Sequence, residues 1–136
     1  MVKKLTVLFT TMCLTVCIWG QNSPEKQVED FYKAFLKNPN TAIKNIMQPI
    51  DDDELKIAEI QNAYKKAQSN YGKCGGLDFI SKKELGQSVV QLRSFFKHTR
   101  YPVIFEFIYY RNDNEWVIIN FKFNDEIKAL LGEKEE

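Results

Sequence analysis

The stretch VIFEFIYYRNDNEWVIINFKF, Val103 to Phe123, decides the fold. Two runs of β-branched and aromatic residues flank the polar segment Arg111 to Glu115, which is the pattern of a β-hairpin. Side chains alternate faces along a strand, so a slip of one residue would exchange the two faces. Centring the turn on Asp113 sets Tyr109 across from Val117 and Phe107 across from Ile119. It also sets Phe105 across from Phe121 and Val103 across from Phe123. That face is wholly apolar and is expected to be the core. The reverse face then pairs Tyr110 with Trp116, Ile108 with Ile118, Glu106 with Asn120 and Ile104 with Lys122.

A turn centred between Thr99 and Arg100 adds the strand Val89 to Lys97 to this hairpin. Val90, Leu92, Ser94 and Phe96 then join the core row, and Arg93 falls directly opposite Glu106. The outer face is expected to carry a polar row, Arg93–Glu106–Asn120. Opposite charges facing each other across strands contribute roughly 0.2–1 kcal/mol. The remainder of that face, Phe95, Ile104, Ile108, Tyr110, Trp116 and Ile118, is too apolar for a wet sheet. A second copy, another partner, a ligand cavity or the protein's own helices must cover it. Aromatic residues beside an arginine are what interface centres contain.

Upstream of Val89 the strand pattern extends to Leu77–Lys83, after Gly75-Gly76, which makes four strands. Before that the period is helical. Ser23-Pro24 reads as a cap with proline at the first helical position. Val28, Phe31, Phe35 and Leu36 recur at helical spacing as far as the break Asn38-Pro39-Asn40. A shorter helix follows from Thr41 to Met47. The acidic run Asp51 to Glu54 lacks the alternating ligands and glycine of a calcium loop. It suits a helix N-terminus, where acids complement the macrodipole. The helix it opens carries the stripe Ile57, Ile60, Tyr64, Ala67 and Tyr71 and closes at Gly72. Residues 125–131 form a last helical turn before the charged tail 133–136. Helices first and antiparallel strands after them give an α+β domain over 21–132. Its N-terminal helices are expected to pack on one face of a curved, cone-like four-stranded antiparallel sheet.

At the other end, Lys3-Lys4 precedes an uncharged, mostly apolar run from Leu5 to Trp19. That run is about 15 residues, short of the roughly 20 that span a bilayer as a helix. Gly20 supplies a small residue for cleavage. Residues 1–20 thus read as a signal peptide, and the domain as exported to the periplasm or secreted, with no membrane span after cleavage. Lipidation at Cys17 would need a small residue before it, where Val16 stands. The chain holds 19 basic and 18 acidic residues. Removing Lys3 and Lys4 with the leader leaves 17 against 18, a charge of −1, which gives no electrostatic footprint for nucleic acid. Cys13 and Cys17 fall in the leader, so Cys74 has no internal disulfide partner. It reads as a small residue in a Gly-rich turn.

The pairs Phe31-Tyr32 and Phe35-Leu36, the helix end Tyr71-Gly72-Lys73, and Tyr101-Pro102 carry a family resemblance. So do Phe105-Glu106-Phe107, Tyr109-Tyr110, Trp116, and the run Asn120 to Asp125. With these residues the chain resembles the nuclear transport factor 2-like superfamily over nearly the whole of 21–132. The resemblance implies a cystatin-like cone of helices against a curved sheet. It also implies one of several activities, since members include isomerases, dehydratases and purely binding domains, commonly homodimers joined through the sheet. An enzyme of this kind sets an Asp or His in the pocket of the cone, and no matching Asp–His or Asp–Tyr pair stands here.

Two residues are candidates for moving a proton. Glu106 would serve as a general base if its face were a closed pocket, whereas pairing to Arg93 would fix it as a structural carboxylate. His98 is expected at the surface beside a turn, with no orienting carboxylate nearby. One histidine and one cysteine make no metal-ligand set, and no motif points to a cofactor. The favoured reading is an exported, non-catalytic binding or assembly domain. Its partner is expected to be itself, as a homodimer through the outer sheet face, or an envelope or extracellular protein. The alternative is a small-molecule isomerase or dehydratase with a pocket between helices and sheet.

Overall fold

A computed structural model of the chain describes residues 23–132. The expected signal peptide, 1–20, and the charged tail, 133–136, lie outside the described residues. The first helix, α1 (Pro24–Lys37), opens on Ser23, whose hydroxyl accepts a hydrogen bond from the Lys26 amide at 3.2 Å. Asn38 ends α1 and caps the next helix, α2 (Pro39–Met47), by accepting from the Thr41 amide at 3.2 Å. The acidic run caps α3 (Glu54–Tyr71): Asp53 accepts from the Leu55 amide at 3.0 Å. Gly72 closes α3 at φ 90°, and a Cβ there would meet the Thr99 side chain at 2.9 Å. Only glycine fits both the backbone conformation and the close approach.

Four antiparallel strands follow in the order β1 (Cys74–Leu85), β2 (Val89–His98), β3 (Pro102–Asn112) and β4 (Glu115–Asn124), each paired with the next. A single turn of helix, α4 (Ile127–Leu130), comes after them. The α+β class and its four-stranded open sheet are as expected from the sequence. Gly75-Gly76 belongs to β1 rather than to a turn. A bulge lies between Cys74 and Leu77, and the Lys97 side chain lies against Gly76, where a Cβ would come within 3.1 Å of it.

The β2–β3 register is the expected one, with Arg93 opposite Glu106, Leu92 opposite Phe107 and Phe96 opposite Val103. The β3–β4 register differs in two steps. The turn consists of Asp113 and Asn114, with Asp113 at φ 57° and Asn112 opposite Glu115. Aspartate tolerates this left-handed conformation better than most residues. Tyr109 therefore pairs with Ile118, Tyr110 with Val117 and Arg111 with Trp116. Ile119 is then the extra residue of a bulge, beyond which Ile108 pairs with Asn120, Glu106 with Lys122, Phe107 with Phe121 and Phe105 with Phe123. The second shift restores the face parity that the first one exchanged. Phe121 and Phe123 face the helices as expected. Trp116 and Ile118 also pack against the core, while Val117 and Ile119 are exposed, the reverse of the expected arrangement.

The space between helices and sheet is filled with rings. Phe96 and Phe105 stack at 4.0 Å, and Phe35 sets its edge on Tyr64 at 4.7 Å and on Phe96 at 5.3 Å. Phe31 lies 5.6 Å from Phe107 and 5.4 Å from Phe121. Aromatic pairs at these separations add about 0.5–1.5 kcal/mol each beyond their burial. The three longer helices pack on the inner face of the sheet.

Candidate functional site on the outer sheet face

The strand pairings lay the outer face out in rows. Nearest the β3–β4 turn, Leu85, Val89, Tyr110 and Val117 form an apolar row across all four strands. The next row is Lys83, Gln91, Ile108 and Asn120, and the third is Ser81, Arg93, Glu106 and Lys122. Asp78, Phe95, Ile104 and Asn124 form the fourth.

The third row is the expected charged stripe with one change of membership. Asn120 sits opposite Ile108, and the bulge at Ile119 brings Lys122 to the place beside Glu106. Glu106 has a side chain only 7% exposed. Its Oε1 accepts from Arg93 Nε at 3.1 Å and from Gln91 Nε2 at 3.0 Å, and its Oε2 lies 3.3 Å from Lys122 Nζ. Both oxygens are thus engaged by donors. Gln91 was legible in principle, because it lies two residues before Arg93 on the same face of β2. Lys122 was hidden by the register error.

The two ends of this face differ. At the stripe, Ala129 and Leu130 of α4 join Arg93, Glu106, Lys122 and Ile104 in lining a concavity of about 320 Å³. Ile104 is buried there. At the other end the apolar surface is open, with Tyr110 40%, Val117 42%, Ile119 47% and Leu85 61% exposed. Phe95 and Ile108 are half-buried. Trp116 and Ile118, expected here, are on the helical side for the reason given above.

His98 is buried rather than exposed, because β2 runs through it and α3 lies against it. Its Nδ1 is 2.8 Å from the Phe96 carbonyl, which can only accept, so Nδ1 carries the proton. Nε2 therefore accepts from the Tyr64 hydroxyl at 2.6 Å. Burial holds the imidazole below the usual histidine range, opposed by the bond to the Phe96 carbonyl. Burial likewise pushes the Tyr64 hydroxyl up. Cys74, opposite His98 in the ladder, has a thiol pushed up by burial, the reverse of an activated nucleophile.

Glu106 and His98 lie on opposite faces of the sheet and do not form one site. A concavity of about 270 Å³ does lie between the first two helices and the sheet, walled by Gln27, Phe31, Ile46, Tyr109 and Ile118 among others. Neither Glu106 nor His98 lines it. Among the described residues no three His, Cys, Asp or Glu side chains gather where they could hold a metal ion. No helix among them is long and apolar enough to cross a membrane.

No family model matches the chain, and no curated protein matches it. A chain in the crystal structure of the type VI native effector–immunity complex Tae3–Tai3 from Ralstonia pickettii is similar in structure, with a TM-score of 0.43 and 21% identity. The match covers 78% of this chain and 97% of that one. A likeness of that size carries no argument about fold or function.

Proposed function

We infer that this is a binding or assembly domain that works outside the cytoplasm and joins a second copy of itself through the outer sheet face. One observation carries the reading. The apolar row Leu85–Val89–Tyr110–Val117 crosses all four strands, is extended by Ile119, and, apart from the half-buried Val89, stands open at the end of the outer face away from α4. Contiguous apolar surface of this kind is costly to leave wet and marks association sites.

The charges flanking the row suit a two-fold contact. Glu115 lies beyond it toward the β3–β4 turn, and Lys83 and Lys122 lie on its other side. A two-fold axis along the row brings the acidic margin of one copy over the basic margin of the other, which is what an isologous interface requires. The resemblance to nuclear transport factor 2-like proteins implies the same use of the sheet. Export rests on Lys3-Lys4 and the run Leu5 to Trp19. The enzymatic alternative has its two proton carriers on opposite sides of the sheet, and neither lines the concavity under the helices.

The test is the mass in solution of the protein lacking residues 1–20, measured by light scattering. Twice the chain mass is expected, and Val117→Arg should halve it while leaving the far-ultraviolet spectrum unchanged. A wild-type protein that stays monomeric at every concentration measured overturns the reading. Residues 1–22 fused ahead of alkaline phosphatase test export separately, because that reporter is active only when exported.

A further inference from the structure

Arg93 is a guanidinium held from behind. Its Nε donates to Glu106, and Glu106 is fixed in turn by Gln91 and Lys122. Among the described residues, the two terminal nitrogens of Arg93 make no hydrogen bond, and the side chain is 39% exposed. These nitrogens belong to a planar fork whose geometry matches a carboxylate. The Lys122 ammonium lies on the other side of Glu106, reaching its second oxygen yet largely exposed, and lines the same concavity as Arg93. Within the concavity Arg93 and Lys122 are offset by Glu106 and Glu126, so attraction for an anion rests on the unengaged guanidinium nitrogens rather than on net charge.

The concavity in front of this stripe has a second character. Ile104 is its buried apolar floor, and Ala129 and Leu130 of α4 form an apolar wall. Glu126 also lines it and disfavours a second negative charge on whatever enters. Its volume of about 320 Å³ is at the small end for ligand sites.

The geometry points to a binding site for a small aliphatic monocarboxylate, with the carboxylate on Arg93 and Lys122 and the chain against Ile104, Ala129 and Leu130. The burial of Glu106 then has a purpose, since it holds the guanidinium ready so that little side-chain freedom is lost on binding. This site shares the outer face with the proposed dimer contact and deepens the reading of that face as a binding surface. It is centred at the opposite end from the apolar row and shares only Lys122 with the margin of the proposed contact, so variants of Val117 and Arg93 test the two apart.

The probe is sodium hexanoate titrated into the protein lacking residues 1–20 and followed by amide chemical shifts. Saturable shifts are expected at Arg93, Ile104, Lys122 and Leu130, with a dissociation constant on the order of millimolar, as suits so small a ligand. Hexanamide, the same chain without the charge, should bind about tenfold more weakly. Arg93→Lys keeps the charge toward Glu106 but loses the fork, and should weaken hexanoate about tenfold with an unchanged melting midpoint. The site is overturned by shifts that do not saturate, by equal binding of hexanamide, or by inorganic phosphate binding the same residues more tightly. Val117→Arg should retain hexanoate binding, so a failed dimer and a failed carboxylate site give different results.

Discussion

The Tyr64 hydroxyl donates to Nε2 of His98 at 2.6 Å, inside the core and across 34 residues of sequence. The bond fixes histidine as the neutral tautomer, because its other nitrogen already donates to the Phe96 carbonyl. A proton added to Nε2 would displace the Tyr64 donor and place a charge among aromatic rings. The folded state therefore takes up this proton at lower pH than the unfolded chain does.

Stability should accordingly fall as pH drops through the ordinary histidine value of 6.5 toward the lowered folded value. The sign follows from proton counts, since below 6.5 the unfolded state binds more protons than the native one. Glu25 is also held below its ordinary value of 4.5, so it acts only in a more acidic window. Urea unfolding measured between pH 7.5 and 5 should show the loss, and His98→Asn should flatten it. A wild-type curve that is flat over this interval would contradict the buried neutral imidazole.

Arg93 and Glu106 should respond unequally to removal. Arg93→Leu leaves a buried carboxylate with fewer partners, which costs about 2 kcal/mol or more. Glu106→Leu leaves a half-exposed guanidinium that water can reach, and should cost about 1 kcal/mol or less. The double variant should be more stable than Arg93→Leu alone, because it removes the stranded charge. Urea midpoints of the three variants give the coupling directly. Strict additivity would mean that the 3.1 Å contact contributes nothing to folding.

Ser94 presents the opposite case, a polar atom that gains nothing from its position. Its hydroxyl is fully buried without a hydrogen-bond partner, opposite Phe105 in the ladder and close to the stacked Phe96 and Phe105 rings. An unsatisfied buried hydroxyl costs about 1–3 kcal/mol. Ser94→Ala keeps the small volume and should raise stability by about 1 kcal/mol, some 4 °C in melting midpoint. Ser94→Leu should destabilise by about 2 kcal/mol through overpacking. A destabilised Ser94→Ala would point to a buried water bonded to that oxygen.

Much of this molecule could be read from local chemistry. The cap at Ser23, the acidic run before Leu55 and the stop at Gly72 are short-range signals that mark real helix ends. Asn38-Pro39, expected only as a break, also caps α2, which starts at Pro39 rather than Thr41. The β2–β3 register was legible because Val90, Leu92 and Phe96 leave only one alternation that buries them all. The β3–β4 register was not, because Val117-Ile118-Ile119 is apolar in every phase, so a bulge within it leaves no trace in the pattern. That hid Lys122 from the charged stripe and placed Trp116 on the wrong face. His98 and the cover that α4 gives to Ile104 depend on contacts between distant segments, which no local period reports.

The bulge itself can be put to the test by deleting Ile119. Its neighbours Ile118 and Asn120 already oppose the consecutive residues Tyr109 and Ile108, so the shortened strand can form a regular ladder with no slip. Trp116, Ile118, Phe121 and Phe123 would all keep facing the helices, and only an exposed side chain would be lost. The expected outcome is a folded protein within about 1 kcal/mol of wild type, the range for surface changes that disturb no buried group. In the protein lacking residues 1–20, Trp116 is the sole tryptophan, so an unchanged emission maximum would show that its burial survives. Ile119→Ala controls for the side chain alone. Should the deletion unfold the protein while the alanine variant melts normally, the extra residue is needed for the twist and curvature that let β4 follow the aromatic core.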